Sequence, residues 1–139
     1  MTVNRLERGV IIRDEFQEIQ NVKIKMAVLV GLEPRLKMCK FFMINSQITS
    51  KARSIPEIRD RQVPIDAYDF LNYLSYINCA QVISRPLTRL RQRFEEGKAK
   101  ICGQLREADL IKVFEQAEKA VTLSPKDKKL IASPFSIEF

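Results

Sequence analysis

The chain has 139 residues, of which 45% are apolar and 29% charged, as is typical of one globular domain with its own core. It contains no histidine, which excludes histidine acid–base catalysis and histidine metal sites, and its three cysteines lack CxxC spacing, which argues against disulfides and zinc. No apolar run approaches the ~20 residues that span a bilayer, and no signal-peptide pattern is present. We therefore expect a soluble, cytoplasmic protein with no membrane partner. The net charge of +7 favours a polyanionic or acidic partner.

The first part of the sequence is predicted to form strands. Arg8–Phe16 has an apolar centre, and Val22–Leu32 alternates before it becomes continuously apolar, as in a strand that is buried on both faces. The stretch "GLEPR" indicates a turn, and Leu36–Ile44 is the next predicted strand. Residues 22–44 are therefore predicted to form a hairpin.

The middle of the sequence is more polar. Residues 45–62 are net basic and are predicted to be a loop. Arg61–Ile65 is predicted to be a short strand, and Pro64 indicates an edge position. Asp66 is predicted to cap a short helical turn, and the alternating stretch Ser75–Arg85 is predicted to be a further strand.

The last part of the sequence is predicted to be mainly helical. A helix is predicted between Pro86 and Gly97, "KAKICGQL" is a connector or short strand, and Arg106–Leu123 carries the clearest apolar stripe. Ser124 and Pro125 predict the cap and first residue of a last short helix. The apolar tail "PFSIEF" is expected to pack on the body or on a partner. These elements predict an α+β fold.

A polar cluster at the end of the strand Leu36–Ile44 is a candidate anion site. Asn45 and Ser46 follow the strand directly, and Lys51 and Arg53 lie a few residues further on. A serine hydroxyl can donate to a phosphate, and an arginine can bind a phosphate with two parallel hydrogen bonds. The pattern also fits an ordinary polar transition from strand to loop, so both interpretations stay open.

A basic segment between Arg85 and Lys100 is a second candidate. Arg85, Arg89 and Arg93 are four residues apart and would share one face if the helix began early enough. Such a row can neutralise several phosphates or bind an acidic peptide, and it also fits a solvated helix face. Aromatic side chains that precede this segment fit either base stacking or core packing. They are Tyr68, Phe70, Tyr73 and Tyr76.

Several stretches occur in an order that is typical of one protein family. "RGVII", "KIKMAVLVG" and "KMCKFFMINSQ" are similar to its first three strands. "SYINCAQVISRPLTRL" is similar to a later strand, and "CGQLREADLIKVFEQAEKAVTL" is similar to its closing helix. Over roughly residues 8–123 the chain thus resembles the MazF/PemK-like toxins. The resemblance implies a small SH3-like antiparallel β-barrel with C-terminal helices. We expect one domain over residues 1–139, with the barrel at about 8–85 and the helical part at about 86–139.

The resemblance also implies an activity. MazF/PemK-like toxins usually dimerise and cut single-stranded RNA without a metal ion, and the acidic, disordered tail of an antitoxin blocks their RNA groove. By resemblance we expect a toxin of a toxin–antitoxin system that acts as a metal-independent endoribonuclease, with no cofactor and no metal. Its expected partners are single-stranded RNA, an acidic antitoxin protein and a second copy of the chain in a homodimer.

The family's catalytic positions can be carried over to this sequence. Lys25 stands where the family has an arginine, and Asn45 and Ser46 stand where its third strand ends in threonine or serine. The predicted catalytic residues are Lys25, Ser46 and Arg53. Lys25 or Arg53 would stabilise the charge that develops on the phosphate, and Ser46 would orient the phosphate. The predicted RNA-binding residues are Asn45, Lys51, Arg85 and Arg89.

The departures from the family leave other functions open. A lysine is a point charge whereas an arginine is a planar fork, so the exchange at Lys25 is not conservative. Val10 also stands where the family has an aspartate. The main alternative is therefore a non-catalytic MazF/CcdB-like barrel that binds a protein partner or nucleic acid. A third alternative is an unrelated α+β interaction protein.

Overall fold

The computed structural model describes residues 5–19 and 23–138, which hold nine strands and five helices. The strands are β1 (Arg5–Glu7), β2 (Val10–Glu15), β3 (Ile24–Glu33), β4 (Met38–Asn45), β5 (Gln62–Ile65), β6 (Ser75–Asn78), β7 (Ile83–Pro86), β8 (Lys100–Gln104) and β9 (Ser136–Glu138). The helices are α1 (Ser50–Ser54), α2 (Pro56–Arg59), α3 (Leu87–Glu95), α4 (Glu107–Lys119) and α5 (Pro125–Ala132). The predicted α+β class is confirmed.

Seven strands form one antiparallel sheet in the order β5-β6-β4-β3-β2-β8, with β7 also paired to β4. β6 pairs with the end of β4 and β7 with its first half. The register shifts between Leu29 and Gly31, where β3 meets β4, and between Ile11 and Ile12, where β2 meets β8. Such irregularities bend strands, and this sheet curls strongly into a half-barrel.

The later part of β3 is buried on both faces of the curled sheet, as predicted. Ala27–Val30 are all fully buried, and alternate side chains belong to two separate apolar layers. One layer includes Val113 of α4 and Ile131 of α5, and the other includes Leu90 of α3. Both layers hold the sheet in its curved shape by removing apolar surface from water.

The C-terminal tail packs on the body of the protein. β9 pairs with β1 in a separate two-stranded sheet, and Leu6 and Ile137 lie opposite each other in it. Both of these side chains are buried in the layer beneath α3. The first of the two expectations for the tail is therefore confirmed. Residues 1–4 lie outside the described residues.

The predicted loop at residues 45–62 is wrong in part, because α1 and α2 lie within it. Thr49 caps α1, since its hydroxyl accepts a hydrogen bond from the backbone N–H of Ala52 (3.2 Å). Pro56 occupies the first turn of α2, where the missing N–H of a proline costs nothing. Each helix is only about one turn long, so neither carries an apolar periodicity that the sequence would display.

Two further local predictions are wrong. The predicted strand Ser75–Arg85 is interrupted at residues 79–82, and its halves become β6 and β7. Asp66 caps no helix, because residues 66–74 form an irregular segment without helical structure. The edge position that Pro64 predicts for β5 is confirmed, since β5 pairs only with β6 among the described strands.

The helical predictions for the last part of the chain are confirmed. α3 is followed by Gly97, whose φ of 73° is in the left-handed region that suits a glycine after a helix. The Ser124 hydroxyl caps α5 by accepting from the backbone N–H of Asp127 (3.0 Å). β8 pairs with β2, so the sheet also draws on residues beyond the predicted barrel boundary near residue 85. Within the described residues, no helix is long and apolar enough to cross a membrane.

Candidate anion-binding site

A cavity of about 190 Å³ lies where the ends of β2, β3 and β4 meet the irregular segment 66–74. Its strand side carries Arg13, Lys25 and Ser46. Its other side carries aromatic and polar side chains of the segment, namely Phe70, Asn72 and Tyr73. None of the described residues that line the cavity is acidic. The cavity therefore offers cationic and hydroxyl groups to an anion without a competing carboxylate.

Strand register brings three of the predicted site residues together. Met26 of β3 pairs with Ile44 of β4, so Lys25 and Asn45 lie beside each other just beyond this pair. The Lys25 ammonium donates to the Asn45 side-chain oxygen (3.2 Å). Ser46 is the next residue along the chain and is exposed at the cavity. Lys25, Asn45 and Ser46 thus lie close together in the structure, and the roles assigned to them in RNA cleavage stay predictions.

Arg13 is a cavity residue that the sequence interpretation missed. It is exposed, and it pairs across the strands with Met26, the residue that follows Lys25. Among the described residues its guanidinium has no hydrogen bond or ion pair. The sequence shows only an arginine at the polar end of an apolar strand. Its place beside Met26 at the cavity depends on the pairing of β2 with β3, in which Lys25 pairs with Asp14. Arg13 could have been assigned to the site only if the register of β2 with β3 had been known.

Lys51 and Arg53 lie on α1, close to the cavity in sequence but not among the residues that line it. Both are exposed, and the Arg53 guanidinium donates to the backbone carbonyl of Ile48 (3.1 Å). This bond holds Arg53 against the loop that precedes its own helix. The structure therefore does not join these two residues to the Lys25–Ser46 group.

Arg85 is turned into the protein core, because only 2% of its side chain is exposed. Its guanidinium donates to Asp14 (2.7 Å), to both Glu18 oxygens (3.1 Å each) and to the Glu15 carbonyl (2.8 Å). It also lies 4.5 Å from the centre of the Phe16 ring. Arg85 is thus enclosed by groups of the protein and does not line the cavity.

The predicted row of arginines does not form, because α3 begins at Leu87 and Arg85 belongs to β7. Arg93 turns inward with Arg85 and donates to Asp14 at 2.6 Å. Arg89 is half-buried on α3 and donates to the Gln17 side chain (3.4 Å), and it does not line the cavity. Arg85 and Arg93 therefore belong to a buried ion cluster, whereas Arg89 does not.

Asp14 is the centre of that ion cluster, and its side chain is 0% exposed. Burial alone raises the pKa of this carboxyl, but the hydrogen bonds from Arg93 and Arg85 outweigh it and lower the pKa below the ordinary value of 3.8. Asp14 is therefore ionised and paired in the folded protein. Alternation along β2 sends Asp14 into the core and the neighbouring Arg13 toward the cavity.

The segment 66–74 is held in place by Tyr68. Its hydroxyl donates to the Asp109 carboxylate and accepts from the backbone N–H of Arg106 (2.9 Å). The Arg106 guanidinium lies 3.9 Å from the centre of the Tyr68 ring. Burial, with the bond to Asp109, raises the pKa of Tyr68, so the phenol stays protonated as a donor. The start of α4 thus fixes the wall of the cavity.

Neither a metal site among the described residues nor a matching protein family is found for this cavity. Within residues 5–19 and 23–138, no group of three or more side chains is arranged to hold a metal ion. No protein-family model matches the sequence, and no curated protein matches it.

Proposed function

We propose that this protein binds single-stranded RNA in the cavity and cleaves it without a metal ion, as a MazF/PemK-like toxin with an SH3-like barrel. The observation that carries the proposal is the composition of the cavity. Lys25 and Ser46, which the family resemblance selects, line the same space, and Arg13 adds a second cation to it. A phosphate needs such cations and hydroxyl donors, and an unpaired base can lie on the aromatic side chains opposite.

The proposed reaction is an internal transfer within RNA. The 2′-oxygen forms a bond to the adjacent phosphorus, the P–O5′ bond breaks, and a 2′,3′-cyclic phosphate and a 5′-hydroxyl are the products. The 2′-OH loses its proton to solvent hydroxide, and the departing 5′-oxygen takes a proton from water. Lys25 stabilises the charge that builds on the phosphate oxygens, and Ser46 donates a hydrogen bond that orients the phosphate.

Asn45 has a supporting role in this proposal. Its side-chain oxygen accepts from the Lys25 ammonium and thereby restricts the position of the charge. An ammonium has further N–H donors, which stay available for a phosphate. Asn45 is thus a positioning residue, and Asn45→Ala is expected to reduce cleavage less than Lys25→Ala does.

The same proposal names the protein partners. An acidic, disordered antitoxin tail would compete with RNA for a cavity that holds cations and no described acidic side chain. The net charge of +7 would attract both of these anionic ligands over longer range. We include a homodimer in the proposal because the family resemblance implies one.

RNA cleavage in EDTA by the purified protein tests the proposal. Lys25→Ala is expected to slow cleavage by about 100- to 1000-fold, as when one donor to a developing oxyanion is removed. Ser46→Ala is expected to slow it by about 3- to 10-fold, which is the loss of one ordinary hydrogen bond. Matched controls are Lys23→Ala and Ser50→Ala, which remove exposed groups outside the cavity and are expected to cut normally.

The decisive comparison is between cavity variants and their controls. If Lys25→Ala and Ser46→Ala both keep full activity, the assigned catalytic residues are wrong. If the wild-type protein leaves RNA intact in the presence and absence of EDTA, the proposed activity itself is wrong. Urea unfolding of each variant shows that the chain is still folded when activity falls.

A non-catalytic barrel that binds nucleic acid or a protein is the second candidate. One observation favours it: the chain has no histidine and the cavity has no described acidic lining residue, so it lacks the usual proton acceptors. This function predicts salt-sensitive RNA binding, or capture of an acidic peptide, with no cleavage at any pH. Binding of labelled RNA that stays intact would select it over the enzyme.

A further inference from the structure

Arg13 is a cation at the cavity that has no protein partner among the described residues. It is exposed, and no hydrogen bond or ion pair joins its guanidinium to any of the described residues. Arg85 and Arg93, in contrast, both donate to the buried Asp14. The planar fork of Arg13 is therefore free to take two oxygens of one phosphate.

Tyr73 presents an aromatic ring on the opposite side of the same cavity. Its exposed fraction is 62%, so much of its surface can be covered by a ligand. The ring is on a supported segment, because Phe70 packs against Gly103 of β8 and Tyr68 is bonded to α4. A ring carried by a held segment can stack on a base with little loss of conformational freedom.

We propose that Arg13 and Tyr73 form a subsite for one unpaired nucleotide of an RNA strand. Arg13 binds the phosphate through its guanidinium fork, and Tyr73 stacks on the base. The inference rests on the proposed function and assigns to Arg13 the planar phosphate contact that Lys25 cannot make. A paired base is stacked on both sides within a helix and cannot lie on Tyr73, so the subsite selects single strands.

The size of the cavity limits its occupant to part of one nucleotide. Its volume of about 190 Å³ is smaller than the roughly 300–1,000 Å³ of pockets that enclose drug-sized ligands. The cationic and aromatic sides face the same space, so one phosphate and its neighbouring base can be bound together. Asn72 also lines the cavity and offers an amide to a base edge.

Binding of a labelled, single-stranded 2′-O-methyl oligoribonucleotide tests the subsite, because its blocked 2′-oxygen cannot attack. Fluorescence anisotropy should show about 10- to 100-fold weaker binding for Arg13→Ala and an intermediate loss for Arg13→Lys. Tyr73→Ala should weaken binding by about 5- to 100-fold, whereas Tyr73→Phe keeps the ring and should bind normally. Arg35→Ala removes an exposed arginine in the β3–β4 turn and should also bind normally.

An oligonucleotide with one abasic position links Tyr73 to the base. When the missing base falls at the subsite, the wild-type protein should bind the abasic strand as weakly as Tyr73→Ala binds the intact strand. Tyr73→Ala should bind the abasic and the intact strands equally well. Equal binding by Arg13→Ala and the wild type would overturn the phosphate contact. Equal losses for Arg13→Ala and Arg35→Ala would show that only overall charge matters, and would overturn it too.

The outcomes separate this inference from the proposed function. If Lys25→Ala abolishes cleavage while the Arg13 and Tyr73 variants bind RNA normally, the function stands and the subsite is wrong. If the wild-type protein neither binds nor cleaves single-stranded RNA, both are wrong. Circular dichroism and urea unfolding of all variants show whether a loss of binding comes from a loss of fold.

Discussion

Asp14→Asn is expected to destabilise the protein strongly. Asp14 is fully buried, and the guanidinium contacts of Arg93 among the described residues all go to it, at 2.6–3.2 Å. The amide lacks the negative charge and directs N–H groups toward the two arginines. In the variant Arg85 still pairs with Glu18, so its charge stays partly compensated. Arg93 has no second ion pair among the described residues. Removing one partner of a buried ion pair costs about 3–5 kcal/mol, and we expect a loss in this range.

Urea unfolding followed by far-ultraviolet circular dichroism measures this loss. The midpoint should fall while the slope with urea stays constant, because the surface exposed on unfolding is unchanged. Glu18→Gln is the matched control, since it touches the same arginine but is 25% exposed. Its expected loss is at most about 1 kcal/mol. A loss for Asp14→Asn no larger than that of Glu18→Gln would refute the assignment of Asp14 as the centre of the cluster.

The pH dependence of the same difference gives an independent check. The folded-state pKa of Asp14 lies below its ordinary value of 3.8, because the hydrogen bonds from Arg93 and Arg85 outweigh burial. A lowered carboxyl pKa stabilises the fold fully above the unfolded-state pKa, and that stabilisation is lost as the pH falls through the folded-state pKa. The stability gap between wild type and Asp14→Asn should be constant above about pH 5 and should shrink below about pH 4. An unchanged gap at low pH would contradict the reasoning.

Three other predictions concern the cavity wall, the cysteines and the reaction. Tyr68→Phe should lower the free energy of unfolding by about 1–2 kcal/mol and speed hydrogen exchange in residues 66–74, since the hydroxyl joins that segment to α4. Unchanged exchange would show that the bond does not hold the segment. In a thiol titration of the native protein Cys102 should react first, because Cys39 and Cys79 are fully buried and burial raises the pKa of Cys39 to about 12; equal rates for all three would contradict this. RNA cleavage should speed up about tenfold per pH unit between about pH 6 and 8, since solvent hydroxide takes the proton; a bell-shaped profile would instead reveal an acid and a base in the protein.

Much of the fold can be predicted from local sequence because its causes are local. The continuously apolar end of Val22–Leu32 predicted burial on both faces, and Ala27–Val30 are fully buried between two core layers. Ser124 and Pro125 predicted the start of α5, since a hydroxyl cap and a proline act within one turn. The one-turn helices α1 and α2 were not predicted, because they are too short for an apolar period.

The candidate site could be predicted only in part. Lys25, Asn45 and Ser46 were expected to meet from the family resemblance, and the cavity and the Lys25–Asn45 hydrogen bond bring them together. Arg85 was assigned to an RNA surface because its spacing from Arg89 suggested one helical face. The helix begins two residues later than that assignment needs, so Arg85 lies on a strand and its side chain points into the core.

By itself, the sequence determined most of the longer strands and helices and the net positive charge of the chain. The tertiary structure alone decided which charged side chains are paired inside the protein and which are exposed to a ligand. Arg13 and Asp14 are neighbours in sequence, but one lines the cavity and the other is buried between two arginines. The physical reason is that strand alternation separates adjacent side chains, while pairing with β3 and packing against α3 fix what each side chain meets.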